Sequence, residues 1–310
     1  MLIIALSNKK VNNFFTFFMK IKQILPQENN YTKVLEHIAL MPKMLYYSGK
    51  WPEEREKTVA IVGSRKCTKY GEGIAYKLAF ELAKKGVIVV SGLAYGVDSI
   101  AARGAIDGGG KTIAILGTEI EKIYPKQHVK LAEEIVEKGG VVASEYTLGD
   151  KVYPQASSFL MRNRIISGLA DTVVIVEAAE RSGSLNTAAH ALEQGKDLFA
   201  VPGDIGKTMS AGCNRLIQKG ANVFLGVEEF MQYMFPPKSK KQKNREQISL
   251  FGDAPEEVAI LKMIVEEGIR DGDLIMEKLE MAVPVYNQAI TMLEVKGVIK
   301  PLGANHWTMA

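Results

Sequence analysis

The chain lacks the residues that several common protein classes require. It has only two cysteines in 310 residues, Cys67 and Cys213, which are too few for a disulfide framework. No cluster of His, Asp or Glu near either cysteine has the spacing of metal ligands. We therefore expect reduced thiols and neither a metal nor another cofactor.

Long hydrophobic runs are also absent. The apolar stretches at 2–6 and 14–18 are short and are interrupted by Lys and Asn, so they match neither a membrane span nor a signal peptide. We expect a cytoplasmic protein that does not enter a membrane. Met19 begins the sequence MKIKQILPQ, which fits a start site, so residues 1–18 are interpreted as an extension and the true start is left open between Met1 and Met19.

Catalytic and nucleotide signatures are incomplete. No Gly-x-Gly-x-x-Gly follows the first strand, and the P-loop-like stretches at 108–112 and 203–208 both lack the leading glycine, so ATP hydrolysis is not indicated. Lys207 in the second stretch remains a candidate phosphate contact. The four histidines lie in unrelated segments and suggest no nucleophile with a base and an orienting acid: His37, His128, His190 and His306.

Charge is distributed unevenly. Residues 255–310 have five Lys or Arg against nine Asp or Glu, so this segment carries −4 while the whole chain carries +4. Residues 1–254 therefore carry +8, of which four come from the run KSKKQKNRE at 238–246. A solvated linker explains that run without any ligand, and nucleic-acid contact is the alternative.

Six short runs rich in Val, Ile and Ala have no polar alternation, as is typical of strands buried on both faces. They lie at 58–62, 87–91, 111–116, 140–144, 172–176 and 197–201, with helix-period segments at 70–85, 97–107, 127–138, 159–169 and 185–194 between them. This alternation predicts an α/β fold with a doubly wound, mostly parallel sheet. Residues 1–54 are interpreted as an extension and a short helical cap, and the sheet domain is placed at 55–235.

A second domain is expected at 255–310, after a basic linker at 236–254. Three helical segments and a final extended pattern with a turn at Gly303 predict a small winged-helix domain. Duplex binding is the common role of that fold, but its presumptive recognition helix has one Lys and one Glu, and the domain is net acidic. We therefore favour a protein-contact or regulatory role.

Two basic turns are candidates for an anion site. Arg162, Asn163 and Arg164 are placed at the start of one helix, and the turn of Arg181, Ser182, Gly183 and Ser184 at the start of the next. The amino end of a helix has unpaired N–H groups and a partial positive charge, and guanidinium groups add paired contacts to phosphate oxygens. The alternative is that these arginines form structural ion pairs with Asp171, Glu177 or Glu180.

A third turn follows the first predicted strand of the sheet domain and contains Gly63, Ser64, Arg65 and Lys66. The next strand leads into a Gly-rich turn in which Asp98 is most simply a helix cap, with ligand contact as the alternative.

Several motifs occur in an order that resembles the DNA-processing protein A (DprA or Smf) family, over residues 31–225. They are VGSR, SGLAYGVDSIAARGA, TIAILGT with IYP, SEY, FLMRNRIISGLAD, VVIVEAAERSGSLNTA, FAVPGD and GCNRLIQKGA. The resemblance implies an extended Rossmann-like domain that binds and protects single-stranded DNA, forms a homodimer, and loads a RecA-type recombinase in natural transformation. It implies no catalytic activity.

The same resemblance assigns roles to individual residues. Arg65 would contact phosphate, and Arg162, Asn163 and Arg164 would line one shared pocket. The ring of Phe159 would stack on a base, although from spacing alone core packing at a helix start is the favoured explanation. Dimerisation is expected through the last sheet strand and Val227–Met234. Many family members also carry an N-terminal helical domain, of which the segment here would be only a remnant.

The linker contains one further short motif. Gln247, Ile248, Ser249, Leu250 and Phe251 resemble the pentapeptide that binds the bacterial sliding clamp, and docking of Leu250 and Phe251 on the protein itself is the simpler explanation.

Two alternative functions remain open at this stage. A nucleotide phosphoribohydrolase of a related Rossmann-like superfamily would need a Glu three positions after Thr187, where this chain has His190, with Glu193 further on. A sensor that binds a small nucleotide and signals through the C-terminal domain is the other alternative.

Overall fold

The computed structural model describes residues 21–150, 152, 154–236, 254–303 and 305–309. The chain divides into two compact units, Met1–Met231 and Gln232–Ala310. The motif at Gln247 to Phe251 and the basic run of the linker lie outside the described residues. None of the helices in the described ranges is both long and apolar enough to cross a membrane.

The first unit is built on a nine-stranded sheet in the order β1-β2-β6-β5-β4-β3-β7-β8-β9. Its strands are β1 Lys22–Ile24, β2 Leu45–Gly49, β3 Thr58–Val62, β4 Ile88–Ser91, β5 Thr112–Leu116, β6 Val141–Ser144, β7 Thr172–Ile175, β8 Asp197–Ala200 and β9 Asn222–Val223. Strands β3 to β9 run parallel to one another, and β2 joins β6 in antiparallel orientation. The predicted mostly parallel, Rossmann-like sheet is confirmed.

Helices connect the parallel strands and cover both faces of the sheet. They are α1 Lys69–Lys84, α2 Val97–Asp107, α3 Val129–Glu137, α4 Ala156–Leu169, α5 Ser184–Glu193, α6 Thr208–Gln218 and α7 Val227–Met234. Strands β3 to β7 have no exposed residue, which explains why these runs are apolar without alternation.

The segment before β3 differs from the predicted helical cap. Two short 3-10 turns, Pro26–Glu28 and Thr32–His37, are present, but β1 and β2 extend the sheet past β6. Tyr31 and Leu35 are fully buried in the same core as the sheet. The segment forms strands because its apolar side chains are buried against the last parallel strand, a contact that local sequence pattern does not show.

The second unit contains α8 Pro255–Val265, α9 Gly272–Lys278 and α10 Val283–Val295, followed by the antiparallel pair β10 Ile299–Gly303 and β11 His306–Met309. Its own core includes Leu261, Ile275, Tyr286 and Leu293. Three helices with a terminal hairpin form the predicted winged-helix arrangement.

The order of the parallel strands creates one topological switch point. From β3 the chain proceeds through β4, β5 and β6 on one side, and β7, β8 and β9 follow on the other. The loops after β3 and β7 therefore leave in opposite directions and open a crevice at the carboxyl ends of these strands, where ligands bind in such sheets.

Candidate functional site

A cleft of about 910 Å³ lies at this switch point. The loop after β3, the loop after β7 and the first half of α4 form its walls. It brings together these predicted site residues: Gly63, Ser64, Arg65, Lys66, Phe159, Arg162, Asn163, Arg181, Ser182, Gly183 and Ser184. Two predicted residues, Arg164 and Lys207, are not among those that line it.

The loop after β3 is held by backbone contacts. The Ser64 N–H donates to the Glu177 carbonyl oxygen at 2.7 Å, and the Ser64 hydroxyl accepts from the Lys66 N–H at 3.1 Å. A Cβ at Gly63 would lie 2.7 Å from a Val97 methyl carbon, so only glycine fits between this loop and α2. The fixed loop leaves the side chains of Arg65 and Lys66 exposed to solvent at the cleft.

The amino end of α1, which follows this loop, is already occupied by a carboxylate. Glu177 is buried and accepts hydrogen bonds from the Thr68 N–H at 2.7 Å and from the Thr68 hydroxyl at 2.6 Å. A Cβ at Gly71 would lie 2.5 Å from a Glu177 carboxylate oxygen. The positive end of α1 is therefore neutralised by the protein itself.

Among the described residues, no carboxylate bonds to the amino end of α5 in this way. Its N-cap residue, Gly183, provides no side-chain cap, and the Ser182 hydroxyl bonds mainly to the Ser184 hydroxyl at 2.8 Å. Within the described part of the chain, the backbone N–H groups of Arg181 and Gly183 have no acceptor. This helix end is therefore open to an anion in the cleft.

Three solvent-exposed cations line the same cleft as this open helix end: Arg65, Lys66 and Arg181. The Arg65 guanidinium lies over the Phe159 ring, 5.0 Å from its centroid. Among the residues that the structure describes, no carboxylate forms an ion pair with any of the three cations. Their positive charge therefore remains available to a ligand.

The three carboxylates named as possible structural partners are engaged elsewhere. Asp171 bonds to Arg55, Glu177 bonds to Thr68, and Glu180 pairs with Arg215 at 2.8 Å. The alternative in which Asp171, Glu177 or Glu180 neutralises the predicted arginines is therefore wrong.

Arg162 forms the floor of the cleft. It is buried, and one of its terminal nitrogens donates to the Gly92 carbonyl at 2.9 Å and to the Ile115 carbonyl, both at the carboxyl ends of strands. A Cβ at Gly92 would lie 2.5 Å from the guanidinium. Burial lowers the pKa of Arg162 to about 10, and the nearby Asp98 opposes that shift.

Asp98 also lies on the cleft floor and is buried. Its carboxylate accepts from the Gly92 N–H at 3.0 Å, so it holds the turn before α2, whose N-cap is Gly96. Burial raises the pKa of Asp98 above its usual value, and Arg162 partly offsets that rise. Asp98 therefore belongs to the cleft floor and is not the N-cap residue.

Asn163 links two walls of the cleft. Its side-chain amide donates to the Gly183 carbonyl at 3.3 Å and to the Asn186 side-chain oxygen at 3.2 Å, and its oxygen accepts from the Arg162 Nε at 3.2 Å. Asn163 therefore fixes the open end of α5 relative to the buried guanidinium.

Arg164 corrects the prediction that all three residues of the Arg-Asn-Arg motif line one cleft. Its guanidinium binds both carboxylate oxygens of Glu145, at 2.7 and 2.6 Å, and also donates to the Leu40 carbonyl at 2.7 Å. The motif lies in the middle of α4, not at its start. Two positions along a helix correspond to a rotation of about 200°, so Arg162 and Arg164 point to different sides.

Lys207 corrects the other prediction. It is the exposed N-cap residue of α6 and does not line the cleft, although Met209 of the same helix does. The P-loop-like stretch around Lys207 precedes α6, whereas the turn that lines the cleft precedes α5. The Lys207 side chain therefore lies outside the cleft.

Phe159 is partly exposed on the cleft wall and packs against a second aromatic ring that sequence reasoning missed. The centroid of Tyr124 lies 5.5 Å from that of Phe159, and a Cβ at Gly117 would lie 2.7 Å from the Phe159 ring. Tyr124 stands in the motif IYP, so an aromatic residue just after β5 was the available signal. Leu160 and Met209 also line the cleft, and no sequence signal distinguished them.

The residues required by the phosphoribohydrolase alternative are not at the site. His190 pairs with Glu193 at 3.2 Å along α5, and neither residue lines the cleft. The carboxylate that this alternative needs at position 190 is absent from the sequence.

The fold and the cleft define a class: a Rossmann-like α/β protein with exposed Arg and Lys side chains in a cleft at its topological switch point. The family model described as DNA recombination-mediator protein A matches residues 22–235. The chain belongs to this family, as the sequence resemblance predicted.

Individual relatives agree with this assignment. The chain is 43% identical to Protein Smf of Escherichia coli (strain K12) over 191 residues, which cover 62% of this chain and 50% of that protein. It is 39% identical to DNA processing protein DprA of Streptococcus pneumoniae over 214 residues, 69% of this chain and 74% of that one. The chain thus matches only about half the length of the Escherichia coli relative.

Two solved structures resemble the fold. The X-ray structure of DprA from Streptococcus pneumoniae aligns with a TM-score of 0.61 at 37% identity, over 70% of this chain and 75% of that one. A DprA structure from Helicobacter pylori aligns with a TM-score of 0.60 at 32% identity, over 69% of this chain and 95% of that one. The Helicobacter pylori protein is described as having a unique single-stranded DNA binding mode.

Proposed function

We propose that this protein binds single-stranded DNA in the cleft at the β3–β7 switch point. The observation that supports this most strongly is the group of three exposed cations, Arg65, Lys66 and Arg181, which line the same cleft as the uncapped amino end of α5. Their charge is not neutralised by carboxylates of the described chain. The relative from Helicobacter pylori, which has a single-stranded DNA binding mode, supports the choice of ligand.

The cleft offers contacts to the sugar-phosphate backbone. Guanidinium groups and free amides both donate to phosphate oxygens, and such charge-assisted hydrogen bonds are roughly twice as strong as neutral ones. Each phosphate that a cation neutralises releases condensed counterions, so binding would weaken steeply with salt. These contacts select for a phosphate chain without selecting for a base sequence.

Phe159 and Tyr124 favour an unpaired strand over a duplex. Both rings line the cleft, and each is at least partly exposed. Bases of a single strand can stack on such rings, and each stack contributes about 1–3 kcal/mol without strong sequence preference. Bases inside a duplex are already stacked and cannot use these rings.

The proposal is tested by titrating a fluorescent oligothymidylate at two salt concentrations. Arg65→Glu should weaken binding by about 100-fold at low salt, because it removes a phosphate contact and adds a repulsive charge. The matched control is Lys85→Glu, which makes the same change of charge at the exposed C-cap of α1, at the opposite end of that helix from the cleft. Equal losses in the two variants would mean that only net charge matters, and the cleft assignment would fail.

We further propose that the bound strand is protected and passed to a RecA-type recombinase during natural transformation or recombination. The family description, which names a recombination mediator, supports this step. In the test, recombinase filaments assemble on strands already covered by single-strand-binding protein, with and without this protein. The parent protein should shorten the lag before filaments assemble, and the Arg65→Glu variant should not. An unchanged lag with the parent protein would reject the recombinase step and leave the DNA-binding proposal standing.

A homodimer through β9 and α7 is part of the same proposal. Strand β9 is an exposed sheet edge, and Leu225, which follows it, is 75% exposed. Paired edges of this kind bury backbone groups that are otherwise left open. Light scattering of the parent and of Leu225→Glu should give dimer and monomer masses, and a monomeric parent would refute the homodimer.

For the winged-helix unit we propose contact with a protein and not with duplex DNA. Its helix α10 exposes Val285, Met292 and Val295, and the segment carries a net charge of −4. An acidic surface repels phosphates, whereas exposed apolar side chains suit a protein partner. Sliding-clamp binding through Gln247 to Phe251 remains a prediction from sequence, because this motif lies outside the described residues. The nucleotide-sensor alternative has no separate observation in its favour.

A further inference from the structure

A second concave surface lies beside the cleft and has no role in the function proposed above. We call it the side groove. It has a volume of about 760 Å³ between α1, α2 and the start of α3, and its lining includes Lys69, Tyr76, Arg103, Gln127, His128 and Lys130. Its basic and aromatic residues are of the same kinds as those in the cleft.

A narrow depression lies beside the cleft and includes Tyr95, which contacts residues of the side groove. Arg65, Phe159 and Arg162 of the cleft line this depression together with Tyr95 and Tyr124. The hydroxyl of Tyr95 donates to the Gln127 side-chain oxygen at 2.6 Å, and its ring meets the ring of His128 edge to face at 5.1 Å. Gln127 and His128 belong to the side groove, so Tyr124, Tyr95 and His128 mark a row of aromatic side chains from the cleft to the side groove.

The rings along this row are available to a ligand. Tyr95 and Tyr124 are both 39% exposed, so part of each ring is accessible to a base. The edge-to-face contact with His128 supports the Tyr95 ring while leaving part of it exposed. Such a ring can accept a stacked base at little entropic cost, because its orientation is already fixed.

The side groove also carries positive charge. Lys130 is exposed, and no carboxylate within the described ranges forms an ion pair with it. Lys69 pairs with Glu72 at 2.7 Å on the exposed surface, whereas the pair of Arg103 with Glu134 at 2.7 Å is partly buried. Exposed ion pairs contribute little, so a phosphate can compete with Glu72 for Lys69.

We propose that the side groove is a second subsite for the same single strand, which leaves the cleft across Tyr124 and Tyr95 and continues toward Lys130. This inference rests on the proposed function, because it takes the cleft as the first subsite. Tyr95 lines the depression beside the cleft and contacts Gln127 and His128 of the side groove, and this contact favours one long strand over two separate small ligands.

The test compares oligothymidylates of increasing length, from about 4 to about 16 nucleotides, the range of sites on single-strand-binding folds. Tyr95→Ala and Lys130→Glu should each weaken binding of the longest strand by about tenfold and leave the shortest strand within about twofold of parent. Tyr70→Ala and Lys138→Glu are matched controls, because both side chains are exposed and line neither surface.

The outcomes separate this inference from the proposed function. In one outcome, Arg65→Glu weakens binding of strands of every length while Tyr95→Ala and Lys130→Glu bind all lengths with parental affinity. That result would support the cleft as the binding site and reject the side groove as a second subsite. If Arg65→Glu binds every length like parent, the proposed function itself fails. Equal losses for short and long strands in Tyr95→Ala would also reject the second subsite, because the ring would then act on the cleft alone.

Cross-linking provides a direct measurement. A strand with 5-iododeoxyuridine at a single position is bound, irradiated and digested, and the modified peptides are identified by mass spectrometry. Moving the label along a long strand should transfer the cross-link from Phe159 to Tyr124 and then to Tyr95. Cross-links confined to Phe159 at every label position would overturn the proposed path.

Discussion

The amino ends of α1 and α5 follow similar Gly-Ser turns after neighbouring parallel strands, yet the structure treats them differently. Glu177 fills the end of α1 with two short hydrogen bonds to Thr68, whereas in the part of the chain that the structure describes no carboxylate bonds to the end of α5 at Gly183. A helix end that the protein neutralises itself stabilises the fold, and one that it leaves open is available to a ligand.

The arginines follow the same division. Arg164 is buried against Glu145 with two hydrogen bonds, while Arg65 and Arg181 are exposed beside the open helix end. Arg162 is intermediate, because it is buried and bonded to carbonyl groups yet lines the cleft floor. Sequence motif alone therefore does not distinguish an arginine that pairs with an internal carboxylate, such as Arg164, from one that is exposed at the cleft, such as Arg65.

The largest expected effect comes from removing a cation that the fold uses. Arg164→Ala leaves Glu145 buried without its partner and should lower the free energy of unfolding by about 4 kcal/mol. The measurement is urea unfolding followed by circular dichroism. Arg215→Ala is the control, because its pair with Glu180 is more than half exposed and should contribute less than about 1 kcal/mol.

A second variant tests whether the loss comes from the unpaired charge. Replacing both partners, as Arg164→Met with Glu145→Leu, should recover most of the stability, since no charge then remains buried. A loss in Arg164→Ala no larger than that in Arg215→Ala would show that Arg164 does not belong to the structural group.

The next effect concerns the filled helix end. Glu177→Ala removes both acceptors of Thr68 and should lower the free energy of unfolding by about 3 kcal/mol, because hydrogen bonds to charged groups contribute more than neutral ones. Glu180→Ala, three residues further along the same loop, should cost less than about 1 kcal/mol. Sulfate should restore part of the stability of Glu177→Ala if the vacated helix end can bind an external anion. Similar losses in the two variants would remove the contrast between α1 and α5.

The fold and part of the site were predictable from sequence for identifiable reasons. The strand at 58–62 and the helix at 97–107 match β3 and α2, because buried parallel strands and their crossover helices have a continuous local pattern. The cleft residues in the loops after β3 and β7 were also predicted, since parallel strands place these loops at one edge.

The errors arose where a distant partner decides the outcome. Arg164 is bound by Glu145, 19 residues away, and Glu177 reaches Thr68 across 109 residues. Strand β2 exists because it pairs with β6. No local pattern contains these contacts, so motif position suggested a binding role for Arg164 and a helical cap for the segment before β3.

The open helix end can be tested with a small change. Gly183 has a φ of −62°, and a Cβ there would meet only a Leu160 carbon at 3.9 Å, so Gly183→Ala should fold with nearly parental stability. The added methyl group would hinder approach of a phosphate to the free N–H and should weaken binding of single-stranded DNA by about tenfold. Gly149→Ala, another glycine with open space at its Cβ, is the control. Parental affinity in Gly183→Ala would mean that the ligand does not use this helix end.

The smallest expected effect concerns Asp98, an internal anion that faces the cleft beside Arg162. Burial raises the pKa of Asp98 in the folded state above its ordinary value of 3.8. At a pH between the unfolded-state pKa and the folded-state pKa, the folded state therefore binds more protons than the unfolded state. The free energy of unfolding contributed by Asp98 is then fully present below the unfolded pKa and is lost as pH rises through the folded one. Asp98→Asn should flatten that part of the profile, because the amide oxygen can still accept from the Gly92 N–H but does not titrate. Urea unfolding at a series of pH values measures the slope, and an unchanged slope in Asp98→Asn would show that Arg162 and the backbone donors fully compensate its burial.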